Sequence, residues 1–290
     1  MEQLEKLKEK PVLTKEFLRD TLNNLLEKTF GESSKETKLI FAMPCGSLAV
    51  NVALEESDLD LIGVFLAPPE SFLMTESKFF PRQVKSSSGD NQQKNNKEDM
   101  DVTILELGYV LQQLREGNSQ SLDLLFFDGP IFFSTPEWES VRAKRKEVLG
   151  MELFSQYLKG ASGMFQTSLK KNPKRIYNSL RKFGECLRML KGEEPKVYLT
   201  GEERERLLNF RRSLLEAKDV KPFKQQVELV KKECFLFLQE KSKEMKNSDF
   251  EALEKALLSI RLDSLKQRLG LSDAPYRFME MRKIVVLYHL

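Results

Sequence analysis

A chain of 290 residues with a formal net charge of +3 is long enough for two parts with real cores, yet too evenly charged to be a generally basic nucleic-acid binder. Three cysteines, Cys45, Cys186 and Cys234, have no metal-ligand spacing and leave one unpaired in any disulfide scheme, which fits a reducing compartment. The charged start does not read as a signal peptide and no apolar run approaches a membrane span, so the expectation is a cytoplasmic or nuclear protein without a membrane partner.

Residues 14–29 carry helix-period apolar positions at Phe17, Leu18, Leu22, Leu25 and Leu26. Lys38 to Met43 reads as the first strand, and Pro44-Cys45-Gly46-Ser47 then leads into a predicted helix from Leu48 to Leu54. Gly46 and Ser47 would stand just before that helix, where free backbone N–H groups favour phosphate and glycine permits close approach. The next strand is expected over Asp58 to Leu66. Asp58 and Asp60 are two apart and share one strand face, continued inward by Ile62, Val64 and Leu66, while Leu59, Leu61 and Phe65 line the other. Two ionised carboxylates held close together repel, so the pair calls for a cation, a basic partner or a shared proton. No histidine is near, and all-oxygen ligation points to magnesium or manganese with substrate phosphates completing the shell.

A polar, low-complexity stretch from Lys85 to Glu98 has nothing to bury and predicts a mobile loop near 83–99, read either as a solvated insertion or as a lid. Asp101 opens the following strand, Asp101-Val-Thr-Ile-Leu, and offers a third carboxylate in preference to Asp99 because it abuts the β-branched run. Two-metal chemistry uses such a cluster to hold the attacking and leaving oxygens. From about Trp138, a packing anchor at the junction, the pattern is helical, with helices expected over 151–171, 173–191, 201–217, 220–246 and 249–269. Strands among helices early and helices alone later argue for an α+β fold, with a small mixed-sheet domain over 1–137 and an all-helical domain over 138–290.

Between Lys159 and Lys191 lie Lys170, Lys171, Lys174, Arg175, Arg181, Lys182 and Arg188, with Glu185 the one acidic residue among them. Lys174, Arg181 and Arg188 are spaced by seven and share a helix face, which suits a triphosphate or an RNA backbone and equally suits a solvated basic face. His289 is the one histidine and stands beside the C-terminus, so Ser-His or Cys-His catalysis has no well-placed base. Cys45 reads as a buried structural thiol.

The Gly46-Ser47 turn, the Asp58-x-Asp60 pair and Asp101 resemble the DNA polymerase beta nucleotidyltransferase superfamily. More narrowly, the chain is similar to the predicted nucleotidyltransferases associated with RNA-repair operons, through Ser57-Asp58-Leu-Asp60-Leu-Ile-Gly63-Val-Phe65, Asp101-Val-Thr-Ile-Leu-Glu-Leu107 and Asn118-Ser-Gln-Ser-Leu122-Asp-Leu-Leu-Phe126. The match runs from Lys38 to Phe133, and the helical remainder agrees in general character. The resemblance implies transfer of a nucleoside monophosphate from a nucleoside triphosphate to an acceptor hydroxyl, with pyrophosphate released, magnesium or manganese as cofactor and an RNA end as the suggested acceptor. It implies that Asp58 and Asp60 bind both metals, and that Asp101 binds the catalytic one and helps deprotonate the attacking hydroxyl. Gly46 and Ser47 would hold the β- and γ-phosphates, and Arg181 and Lys174 would contact the nucleotide from across the cleft. Leu48, Val50 and Asn51 depart from the family's basic residue, aromatic and glycine, and Ile62 replaces a common basic residue. Two alternatives stay open. One is a catalytically weakened nucleotide- or RNA-binding module acting through partners; the other is nucleotidylation of a protein or small molecule.

Overall fold

Thr14 starts the first helix: its hydroxyl accepts the Phe17 N–H at 3.1 Å, and the helix α1 (Lys15–Phe30) then brings Leu18, Leu22 and Leu26 to one buried side. The computed structural model describes residues 13–55, 57–69, 71, 82–86, 100–130, 132–167 and 173–270. The buried side of α1 packs on a five-stranded sheet built from β1 (Lys38–Pro44), β2 (Asp60–Leu66), β3 (Gln83–Lys85), β4 (Asp101–Glu106) and β5 (Phe133–Ser134). The strand order is β3-β4-β2-β1-β5; β2 and β4 run parallel and the remaining pairs antiparallel.

The two faces of β2 sort as its alternation predicts. Leu61 and Phe65 join the core under α1, while Ile62, Val64 and Leu66 face the larger core on the other side. In β4, Val102 and Ile104 pack toward α1 and Leu105 toward the larger core. A register shift between Leu39 and Phe41 turns both Ile40 and Phe41 into that larger core, as a bulge allows. Gly63 is where α1 sits closest: a Cβ there would lie 2.0 Å from Leu22 Cδ2.

The helices continue with α2 (Gly46–Ala49), α3 (Leu107–Arg115), α4 (Ser119–Phe126), α5 (Pro136–Arg142), α6 (Met151–Thr167), α7 (Pro173–Leu190), α8 (Gly201–Glu216), α9 (Lys221–Lys241) and α10 (Glu251–Arg268). The architecture is α+β, a mixed sheet followed by helices. One core cluster runs from Phe41 and Val64 in the sheet through Trp138 to Phe154, Phe183 and Leu207 of the helical part, so the two parts share their apolar interior. Trp138 is fully buried and stacks on Phe41 with ring centroids 4.7 Å apart, joining sheet and helices. Buried Glu106 adds a polar tie: it caps α3 through the Tyr109 N–H at 3.1 Å and accepts Arg261 of α10 at 3.1 Å. Among the described residues no helix is long and apolar enough to cross a membrane.

Three expectations need correction. The helix after the Gly-Ser turn covers Gly46–Ala49 and not Leu48–Leu54, because Asn51 adopts a φ of +64° and the Val52 N–H turns back to the Ser47 carbonyl at 2.9 Å. Strand β2 begins at Asp60, leaving Asp58 in the approach to it. The polar stretch near 83–99 begins as strand, since Gln83–Lys85 pairs with β4; residues 87–99, with Asp99, lie outside the described residues, as do Lys170, Lys171 and His289.

Candidate active site

The parallel pairing of β2 with β4 puts Asp60 directly opposite Asp101. Both begin their strands, and both stand on the face that continues into the larger core through Ile62 and Leu105. Neighbouring strands lie about 4.8 Å apart, so these carboxylates are held side by side by backbone hydrogen bonding alone. Asp58 is exposed two residues earlier.

The Gly-Ser turn meets this edge. The Cys45 N–H bonds the Asp60 carbonyl at 2.7 Å, and Gly46 takes a φ of +61°, a left-handed conformation that costs other residues about 1–2 kcal/mol. A Cβ on Gly46 would lie 3.3 Å from Asp60 Oδ2, so the glycine keeps backbone and carboxylate in close approach. Gly46 is exposed and Ser47 half-buried.

Charge at this edge is unbalanced. Burial raises the Asp60 carboxyl above the usual range; Lys174, at the start of α7, pulls it back down, while Asp101 and Asp58 raise it further. Among the described residues Lys174 is therefore a cation of the basic helix whose charge acts on Asp60, and it is exposed. Among the described residues no three His, Cys, Asp or Glu side chains close into a ready metal cage. The aspartates form an open, mutually repelling oxygen set, which suits a magnesium or manganese ion that keeps waters and takes its remaining ligands from substrate phosphates.

Arg181 does not join them. Although it shares a helix face with Lys174, it is buried in the interior, and its two terminal nitrogens donate to Asp123 Oδ1 at 3.0 Å and Oδ2 at 2.7 Å. This bidentate pair holds the guanidinium ionised, with its pKa raised, against the burial that opposes it. Direct nucleotide contact, expected from the sequence, is corrected to a buried structural tie between α4 and α7, because Asp123 captures the charge. Arg188 is likewise paired, with Glu193 at 3.0 Å and with Glu203.

Sequence reasoning missed the groups that fix the segment between the turn and the aspartates. Asn51 donates through Nδ2 to the Leu199 carbonyl at 3.0 Å, and its own carbonyl accepts Arg204 Nε at 2.8 Å. Arg211 donates to the Val52 carbonyl and, at 3.1 Å, to Ser57 Oγ, which also accepts the Leu54 N–H at 2.8 Å. Arg204 and Arg211 are seven apart on α8, a spacing legible in the sequence as a shared face, though their targets are carbonyls on a loop far away in the chain. The departure at Asn51 has a physical account: it fills a left-handed position where glycine would also fit, and its side chain secures the helical part to the loop.

Cys45 Sγ accepts Gln120 Nε2 at 3.6 Å beneath the turn. Burial pushes this thiol up, the Gln120 and Gly46 hydrogen bonds oppose that, and Asp123 and Asp60 add to it, which makes the thiol a poor nucleophile.

The model of the RNA repair pathway DNA polymerase beta family, RlaP, matches residues 18–259. No curated protein matches the chain.

Proposed function

This chain belongs to the RNA repair pathway DNA polymerase beta family, and we propose that it is a metal-dependent nucleotidyltransferase that moves a nucleoside monophosphate from a nucleoside triphosphate to an acceptor hydroxyl. The observation that carries this reading is the meeting of the Gly46 backbone with the Asp60 carboxylate, beside Asp101 in register on the parallel strand. The family's tie to RNA repair supports an RNA end as the acceptor.

In this reading Asp58, Asp60 and Asp101 hold magnesium or manganese. The cation, when bound, offsets the negative charge that builds on the attacking and leaving oxygens. Gly46 and Ser47 present backbone N–H groups and a hydroxyl to the β- and γ-phosphates, and Lys174 balances triphosphate charge from the opposite wall. Asp101 takes the proton from the attacking hydroxyl, the acceptor oxygen bonds to the α-phosphorus, and pyrophosphate leaves. Arg204 and Arg211 position the loop that delivers Asp58 and Asp60.

The test is pyrophosphate release from each common ribonucleoside triphosphate with magnesium or manganese, with and without a mixed RNA pool. Asp60→Ala and Asp58→Ala should abolish release while leaving the fold nearly intact, because Asp58 precedes β2 and Asp60 is its first residue, neither of them in the buried core. Wild-type release in both variants would sink the carboxylate assignment. Metal-dependent triphosphate binding without turnover would favour a binding module, for which Leu48 and Val50 speak. Turnover with a protein or small-molecule acceptor alone would replace RNA.

A further inference from the structure

Helix α9 buries Val227 and Cys234, the latter with its Sγ 3.4 Å from the Phe183 carbonyl of α7, and turns its opposite side outward. That outer side is apolar at its centre: Leu229 is 66% exposed and Leu236 60%. Seven residues return to within about 20° on a helix, so the two leucines form one stripe. At about 3.6 residues per turn, Lys232 stands about 50° to one side of the stripe, with Gln239 beyond it. Glu233 stands about 50° to the other side, which it shares with Gln226 and Glu240; all of these are exposed.

On the Lys232 side the helix borders a groove of about 550 Å³. Ser162 and Gln166 of α6 line it across from Lys231, Lys232, Phe235 and Gln239 of α9, and Glu233 and Glu240 do not. Lys231 pairs with Glu228 at 3.3 Å, whereas neither Lys232 nor Glu233 has an ion-pair partner among the described residues. We propose that the outer face of α9 is a homodimer surface, where a second copy of this chain docks with its own α9 parallel to the first about a two-fold axis along the helices.

Charge complementarity chooses the occupant. An apolar centre with a basic flank and an acidic flank fits itself under one operator. A half-turn about an axis parallel to the helix keeps every residue at its height and sets each flank against the opposite flank of the copy. Leu229 then meets Leu229 of the copy, and Leu236 meets Leu236. Lys232 of each chain meets Glu233 of the other at nearly the same height, because one residue rises only about 1.5 Å. Gln239 likewise faces Glu240 as donor to acceptor, so an acidic flank lies along the mouth of each basic groove. An antiparallel pairing would instead leave each residue on its own side, Lys232 against Lys232 and Glu233 against Glu233, which like charges oppose. The mixed signs also disfavour RNA and anionic membrane, each of which selects a face of one sign.

Sedimentation velocity of the full chain, over a concentration series that starts in the low micromolar range, is the experiment. The expected result is a mass that rises toward twice that of the chain. Leu236→Glu puts a carboxylate on the stripe of both copies and should weaken association by about tenfold or more. Leu236 is exposed in the single chain, so the dilute variant should melt as wild type does, which verifies the fold. Lys232→Glu and Glu233→Lys should each weaken association several-fold. The double swap, Lys232→Glu with Glu233→Lys, should return it to near wild type, because opposite signs again meet across the axis. The proposal is overturned by a monomer at every concentration, by a dimer indifferent to Leu236→Glu, by single charge reversals that do not weaken it, or by a double swap that does not restore it.

Discussion

Helix α7 carries charge into two regions that treat it in opposite ways. At its start Lys174 is exposed beside three aspartates that repel one another. Deeper along it, Arg181 and Glu185 are buried, and each has a fixed partner, Asp123 for the arginine and the Lys196 N–H for the glutamate. Seven residues advance about 10 Å along a helix axis while returning to nearly the same face. That face therefore leaves the aspartates and reaches Asp123 of α4 in the interior. The aspartate edge is kept unsatisfied and can respond to a ligand; the Arg181–Asp123 pair is already made and can only be broken.

The largest expected effect breaks the interior. Arg181→Ala strands Asp123 in a partly buried position, and we predict a loss of about 3 kcal/mol in denaturant unfolding, the usual cost of removing one member of a buried pair. The double change Arg181→Met with Asp123→Leu should recover most of it, because neither charge is then left alone. If the single change costs less than about 1 kcal/mol, the pair is solvated and the contrast between the two regions fails.

The second prediction concerns pH. Burial chiefly raises the Glu185 carboxyl to about 7. Its folded pKa then exceeds the unfolded value of 4.5, so the folded state holds a proton that the unfolded state has released. Stability from this group is complete below 4.5 and is lost as pH rises through about 7, by about 3 kcal/mol in all. Glu185→Gln keeps an acceptor for the Lys196 N–H and cannot ionise. Its stability advantage over wild type should grow from near zero at pH 4.5 to its full value above pH 7 in parallel thermal melts. A constant difference across that window would place the titrating group elsewhere.

The pattern of which expectations hold follows the range of the interactions. Local periodicity sufficed for α1, for both faces of β2 and for the helices after Trp138, because alternation and 3.6-residue spacing are written within each element. Asp101 was readable as a strand start and Asp60 as a strand residue two after Asp58, although the strand begins at Asp60 itself and its pairing in register with Asp101 is a sheet property. What escaped was partner choice across long separations. Nothing near Arg181 in the chain says that Asp123 will take it, and nothing near Arg211 says that it will hold the Val52 carbonyl. Asn51 looked like a loss of fit and proved to be an anchor, since its left-handed turn becomes visible once the backbone is known.

A third prediction sharpens the link between the regions. Arg211→Ala removes the hydrogen bonds to Val52 and Ser57 and the packing of its guanidinium on the Tyr177 ring, at 5.2 Å. It should cost about 1–2 kcal/mol in stability, yet lower pyrophosphate release at saturating triphosphate by about tenfold through misplacement of Asp58 and Asp60. Arg211→Lys should restore part of the stability and little of the rate, because lysine cannot bridge two acceptors as a planar fork does. Equal losses in kcat and in stability-corrected binding for both variants would mark Arg211 as packing alone.

The smallest effect should have the opposite sign. At the aspartate edge, burial and the neighbouring Asp101 and Asp58 oppose ionisation of Asp60, so its folded pKa stands above the unfolded value and ionisation at neutral pH costs stability. Asp60→Asn keeps the side chain's size beside Gly46 and removes the charge. Without divalent ions it should raise the melting temperature at pH 7 by about 2 °C, and the gain should shrink as pH falls and wild-type Asp60 takes up its proton. Magnesium should stabilise wild type and leave Asp60→Asn nearly unmoved, because the repulsion that a cation relieves is gone from the variant. A protein stabilised by losing a carboxylate, and then deaf to the cation, would locate the stored cost of the site at Asp60; a destabilised variant would mean that Lys174 already balances the edge.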